Sequence, residues 1–286
     1  MVPIGGVDET RVDVDGVEIF VRRRAGDGVP AVFLHGNPTN SDDWLPFVEA
    51  HRGPAIAFDL PGFGRSARPD PERFDYSMWA YADFVGRALD VLGVDRYALV
   101  IHDWGAVGLL AALRAPERVE RLVAFNHVPF GVGYRWHWIA RWFWRRRGAG
   151  ELFNALTTRA AAALVLRQAR PGWRPMPPEF LDSFWPHWDA GTKRAVLRLY
   201  RSADPEALAA AGEGLERLTC PALLLWAQRD PYIPPVYGRR LAARLPNARL
   251  EEVVDAGHWA WIDRPELVGR VARALGRDRG GPLASL

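Results

Sequence analysis

The stretch Val100-Ile101-His102-Asp103-Trp104-Gly105-Ala106 sets the reading of the whole chain. It closes the apolar run 98–102 and opens a helical pattern over 105–115. A side chain on so sharp a strand-to-helix turn is pushed out above the sheet. Gly105 supplies the small neighbour that the turn needs. The helix behind it aims its free N–H groups and positive dipole end at the same spot. A carboxylate there is held ionised and presented to a ligand. Taken alone, Asp103 reads equally well as a helix N-cap with no other role.

Working outward, short apolar runs recur ahead of helical patterns. Residues 31–34 end at His35-Gly36 and 55–60 at Pro61-Gly62, and 122–125, 222–226 and 249–253 follow as strand candidates. Helical spacing covers 77–92, 105–115, 238–245 and 265–275. Residues 11–21 alternate around Asp15-Gly16, which predicts an early hairpin. Apolar strands alternating with helices predict an α/β fold, a mostly parallel sheet flanked by helices on both faces. The alternation stops between 131 and 212, where Trp, Arg, Ala and Pro dominate. Seven tryptophans fall there: Trp136, Trp138, Trp142, Trp144, Trp173, Trp185 and Trp188. This predicts a helical cap over 131–212, inserted into a core of 1–130 and 213–286. Most of its tryptophans are expected to pack the cap onto the core, the rest to line a pocket.

Composition narrows the function classes. A chain of 286 residues that is 49% hydrophobic is long enough to bury one large core. Net charge is only +3, and Lys193 is the only lysine. The one dense basic run, Arg145-Arg146-Arg147, reads as a solvated helix end, with an anionic surface contact as the alternative. A single cysteine, Cys220, permits no intramolecular disulfide. Residues 1–10 carry no signal-peptide pattern, and no uncharged apolar run has membrane-spanning length. A cytoplasmic protein with neither nucleic acid nor membrane as partner is expected. There is no H-E-x-x-H and no Cys/His cluster, so no metal is expected. Gly62-x-Gly64 lacks the third glycine of a dinucleotide loop, so no nicotinamide cofactor is expected either.

Two further strand ends complete a catalytic set. Asp230 follows the run 222–226, and His258 follows 249–253 in Asp255-Ala256-Gly257-His258-Trp259. Separately, Asp230 is a turn former before Pro231, and His258 is a loop histidine. Together they fall at the sheet edge that carries Asp103, in the order nucleophile, acid, histidine. A carboxylate is a weak nucleophile towards carbonyls, but it displaces a leaving group from saturated carbon and leaves an alkyl ester. His258 then serves as general base on a water that attacks the ester, with Asp230 orienting the imidazole.

These motifs resemble the α/β-hydrolase superfamily, and within it the haloalkane dehalogenase and epoxide hydrolase branch. The resemblance rests on His35-Gly36-Asn37-Pro38, Asp59-Leu60-Pro61-Gly62-Phe63-Gly64-Arg65-Ser66, His102-Asp103-Trp104-Gly105-Ala106, the Asp230 loop and Gly257-His258-Trp259. It spans about residues 30–275, with the cap matched only loosely. It implies a catalytic triad of Asp103, His258 and Asp230, with no cofactor, acting on a small apolar organic substrate and water. Asn37 and Trp104 resemble the halide-binding pair of haloalkane dehalogenases, and their backbone N–H groups an oxyanion hole. Ile101 fits the dehalogenase pattern better than the glycine common in epoxide hydrolases. On the other side, Leu199-Tyr200-Arg201 resembles the segment in which epoxide hydrolases hold a proton-donating tyrosine. Tyr134, or less favourably Tyr81, is the candidate for the second. Trp136-His137-Trp138 is faintly similar to the cap of fluoroacetate dehalogenases, which makes Trp138 a candidate cap contact. Those enzymes carry arginine where this chain has Trp104. Asn126, where some dehalogenases place the acid, cannot serve, which leaves Asp230. Hydrolytic dehalogenation leads, epoxide hydrolysis is the alternative, and a receptor that kept the fold without turnover is the third reading.

Overall fold

A computed structural model describes residues 6–276. Eight strands form one sheet in the order β1-β2-β4-β3-β5-β6-β7-β8. They are β1 (Val7–Val14), β2 (Val17–Arg24), β3 (Ala31–Leu34), β4 (Ala55–Phe58), β5 (Tyr97–Asp103), β6 (Val119–His127), β7 (Ala222–Ala227) and β8 (Ala248–Val253). The hairpin β1–β2 joins β4 antiparallel, and every other pairing is parallel. Strands β3, β4, β5 and β7 are buried at every residue, which is why their sequences are continuous apolar runs rather than alternations. The hairpin turns at Asp15-Gly16, both with positive φ, and is longer at each end than the alternating pattern alone predicts.

The core helices are α1 (Leu45–Ala50), α2 (Met78–Val91) and α3 (Val107–Ala112) before the break in alternation. Between β6 and β7 the chain forms only helices and loops. A short π-helical turn (Ala140–Trp144) precedes α4 (Ala149–Leu156), α5 (Arg159–Leu166), α6 (Pro178–Phe184), α7 (Ala190–Ser202) and α8 (Pro205–Ala211). Helices α9 (Pro235–Ala242), α10 (Ala260–Asp263) and α11 (Glu266–Leu275) are the last among the described residues. α9 begins earlier than the spacing over 238–245 suggests, because Pro234-Pro235 fix φ at its first turn. α3 ends earlier than 115, and the segment ahead of it, Trp104–Ala106, is a tight 3₁₀ turn.

The sheet order reverses direction at β3. From β3 the chain steps to β4 on one side and then to β5 on the other. Ligands of open α/β sheets bind in the crevice that such a switch opens at the carboxyl ends of the strands. Asn37 follows β3 and Asp103 ends β5, so both stand at that crevice.

Candidate active site

Asp103 has φ 48° and ψ −119°, a conformation that costs a non-glycine residue roughly 1–3 kcal/mol. Close packing holds it there. A β-carbon on Gly105 would lie 2.2 Å from the Leu34 carbonyl oxygen, so only glycine lets the turn press against β3. A β-carbon on Gly36 would lie 2.5 Å from that of Asp103. The Asn37 backbone N–H donates to Asp103 Oδ1 at 2.8 Å, and the Trp104 backbone N–H also bonds this carboxylate. Burial pushes the Asp103 pKa above its usual range; His258 and the two N–H groups pull against that shift.

His258 joins the two carboxylates. Its Nδ1 lies 2.7 Å from Asp230 Oδ2 and its Nε2 3.7 Å from Asp103 Oδ2. Asp230 Oδ1 accepts the backbone N–H groups of Tyr232 at 2.7 Å and Ile233 at 3.0 Å. With both its oxygens engaged as acceptors, Asp230 fixes Nδ1 as the donor and leaves Nε2 free to take a proton. Burial by itself would lower the imidazole pKa. The carboxylates of Asp230, Asp103 and Asp43 together outweigh it, Asp230 most, and the net shift is upward.

Supporting contacts come from several elements. His102 Nε2 lies 3.0 Å from the His258 carbonyl oxygen, and the His258 N–H donates to the Ala169 carbonyl at 2.9 Å. Asn126 laces β6 to the Asp230 loop. Its Oδ1 accepts the Ala227 N–H at 2.7 Å, and its Nδ2 donates to the Ile233 carbonyl at 3.1 Å. Asp43 is buried and pushed up to about 7 by that burial, although the Thr39 hydroxyl donates to it at 2.5 Å and the Trp259 indole at 3.4 Å. Neither His102 nor Asp43 stood out in the sequence. The only cue was their adjacency to Asp103 and to the His35-Gly36-Asn37-Pro38 loop.

A cavity of about 400 Å³ opens above Asp103 and His258. That volume suits a small organic ligand. Its walls are mostly apolar and include Trp136, Trp144, Trp185, Trp188, Leu152, Phe153 and Val165. Asn37 lines it, and both atoms of its side-chain amide are buried without a partner, as is the Trp104 indole N–H. Leaving such groups unpaired costs roughly 1–3 kcal/mol each. Tyr200 closes the same corner: its ring meets that of Trp104 edge-on at 5.2 Å, and its hydroxyl faces Asn37 and the Trp104 indole. Burial holds the Tyr200 phenol well above its ordinary pKa.

The other aromatic candidates separate. Tyr134 lines the cavity and donates to the Tyr232 carbonyl at 3.3 Å. Tyr81 is buried in the core, bonded to the Pro61 carbonyl. Trp138 is not a lining residue; it is 46% exposed, and its indole donates to Gln168. Nor do most of the seven tryptophans simply pack helix on core. Trp136, Trp144, Trp185 and Trp188 pack there but also line the cavity, and Trp138, Trp142 and Trp173 are exposed. Among the described residues no cluster of His, Cys, Asp and Glu is suited to a metal ion.

Known proteins share this fold. The family model for the alpha/beta hydrolase fold matches residues 30–265. A haloalkane dehalogenase of Mesorhizobium japonicum is 33% identical over 268 residues, covering 85% of this chain and 82% of that protein. The crystal structure of the haloalkane dehalogenase DatA from Agrobacterium tumefaciens C58 superposes with a TM-score of 0.80 at 26% identity, covering 93% of this chain and 94% of that one. An epoxide hydrolase from Vigna radiata shares the fold, with a TM-score of 0.77 at 19% identity over 94% of this chain and 97% of that one. The strained aspartate at the strand end, the histidine beside it and the matched family model identify the chain as a member of the alpha/beta hydrolase family.

Proposed function

We propose that this protein hydrolyses haloalkanes to alcohol and halide through an ester on Asp103, with residues 131–212 acting as a cap on a core of 1–130 and 213–286. The observation that carries this reading is a pair of buried donors near Asp103, the Asn37 amide on the cavity wall and the indole N–H of the adjacent Trp104, which face the Tyr200 hydroxyl and have no other partner. A halide leaving group accepts hydrogen bonds from both donors. The relatives named above as haloalkane dehalogenases support it.

The chemistry follows from the two oxygens of Asp103. Oδ1 is held by the Asn37 N–H, so Oδ2, on the His258 side, is the attacking atom. It displaces halide from saturated carbon; the carbon–halogen bond breaks as the carbon–oxygen bond forms. His258 Nε2 then takes a proton from water, and the hydroxide adds to the Asp103 carboxyl carbon. Negative charge develops on Oδ1, where the Asn37 and Trp104 backbone N–H groups stabilise it. Collapse expels the alkoxide, which takes the proton of the newly added hydroxyl and leaves as the alcohol. His258 returns the other proton to solvent, and Asp103 is a carboxylate again.

A second reading, epoxide hydrolysis, is favoured by one observation: the Tyr200 hydroxyl stands in the leaving-group corner with its phenol kept protonated. There Tyr200, with Tyr134 nearby, donates to the departing alkoxide. Tryptophan fluorescence under bromide titration separates the two. Saturable quenching that is lost in Asn37→Ala supports dehalogenation. Weak quenching unchanged by that substitution, with turnover of epoxides lost in Tyr200→Phe, supports the second reading.

A further inference from the structure

Charge is distributed unevenly along the chain. Residues 131–170 carry eight arginines and one carboxylate, Glu151, a net +7, and the other 246 residues sum to −4. Within this segment Trp138 and Trp142 lie one helical turn apart and are 46% and 47% exposed. Arg141 and Arg146 flank the Trp142 ring at 5.1 and 4.5 Å, and Arg147 is exposed beside them. Among the described residues none of these three arginines pairs with a carboxylate, whereas Arg159 and Arg201 do. On α4, Leu152 and Leu156 lie four residues apart on one face and are 60% and 69% exposed. These two leucines also line the cavity, so they stand at its mouth. Phe143 ties the two groups together, since its ring contacts both Trp138 and Phe153.

Burying this rim would remove apolar surface from water, and the free guanidiniums call for negative charge. A second copy of the chain offers the wrong complement. A two-fold contact would set one +7 segment against another. Tryptophan interleaved with arginine beside exposed leucine is the composition of a surface that sits at a lipid headgroup layer. We propose that the rim formed by Trp138, Trp142, Leu152 and Leu156, with Arg141, Arg146 and Arg147, docks on an anionic lipid bilayer. It presents the cavity mouth to lipophilic substrate dissolved there. The contact is peripheral: no helix among the described residues is long and apolar enough to cross a membrane. It departs from the sequence-based expectation of no membrane partner and takes up the alternative reading of the arginine run. Docking needs no turnover, so it stands or falls apart from the catalytic proposal.

The test is co-sedimentation of the whole protein with vesicles of phosphatidylcholine, with and without 30% phosphatidylglycerol. The expected result is binding to the anionic vesicles that weakens steeply as salt is raised. Losing three arginines at an anionic surface is expected to weaken binding by about a hundredfold in Arg141→Gln/Arg146→Gln/Arg147→Gln. Trp142→Ala is expected to weaken binding at every salt concentration, and thermal unfolding of each variant checks that it folds. Absence of binding overturns the proposal, as does equal binding to neutral vesicles. Sedimentation velocity showing a dimer broken by Leu152→Glu/Leu156→Glu would also overturn it, because the rim would then be a self-association surface.

Discussion

At the scale of the residue, Asp103 concentrates the argument. Its backbone is held in a costly conformation and its carboxylate is buried, yet both oxygens face partners suited to a reaction. Asp103→Ala is expected to lower turnover roughly ten-thousand-fold while leaving the fold intact; halide release and circular dichroism check the two halves. His258 sets a pH dependence. Its pKa is raised above 6.5, and only the neutral imidazole accepts a proton from water. The ester removes the Asp103 charge that helps raise this pKa, so ester hydrolysis is expected to rise with pH through a midpoint lower than that of the free enzyme, as read from single-turnover rates between pH 5 and 9. The identities of these residues were legible in the sequence because three strand ends each carried one polar residue of the right kind. The partners behind them were not. His102 and Asp43 contact the His258 loop only after residues far apart in the chain are folded together.

At the scale of the element, the site depends on how tightly strands and loops are laced. Asn126 replaces a possible catalytic carboxylate on β6 with a neutral amide that bonds the end of β7 and the loop after it. Asn126→Ala leaves the Ala227 N–H and the Ile233 carbonyl without these bonds. It is expected to cost on the order of 2 kcal/mol in denaturant unfolding, and to slow turnover by loosening Asp230. Gly105→Ala is expected to be destabilising by at least 1–3 kcal/mol, since the new methyl would meet the Leu34 carbonyl. Strands β3, β4, β5 and β7 were readable because burial on both faces makes them continuously apolar. Helix limits were harder. α9 starts at its proline pair rather than at its apolar periodicity, and the turn after Asp103 is 3₁₀ because close approach to β3 tightens it.

At the scale of the whole molecule, the hydrolase fold was legible because strand order and loop chemistry agree, whereas the cavity was not. The tryptophans between β6 and β7 divide between cavity wall and exposed rim, a division that no periodicity encodes. A mostly apolar space of about 400 Å³ favours longer substrates. The expected outcome is a KM that falls from 1-bromoethane to 1-bromohexane, by roughly 0.8 kcal/mol of added burial per methylene until the space is filled. Covalent catalysis by Asp103 is read from the intact mass of His258→Phe after incubation with 1-bromobutane. Displacement at carbon does not need the imidazole, whereas hydrolysis of the ester does. The expected result is a stable butyl adduct on the whole chain, located at Asp103 and absent from Asp103→Ala/His258→Phe. An unmodified mass, from a protein whose parent releases bromide from the same compound, would contradict it.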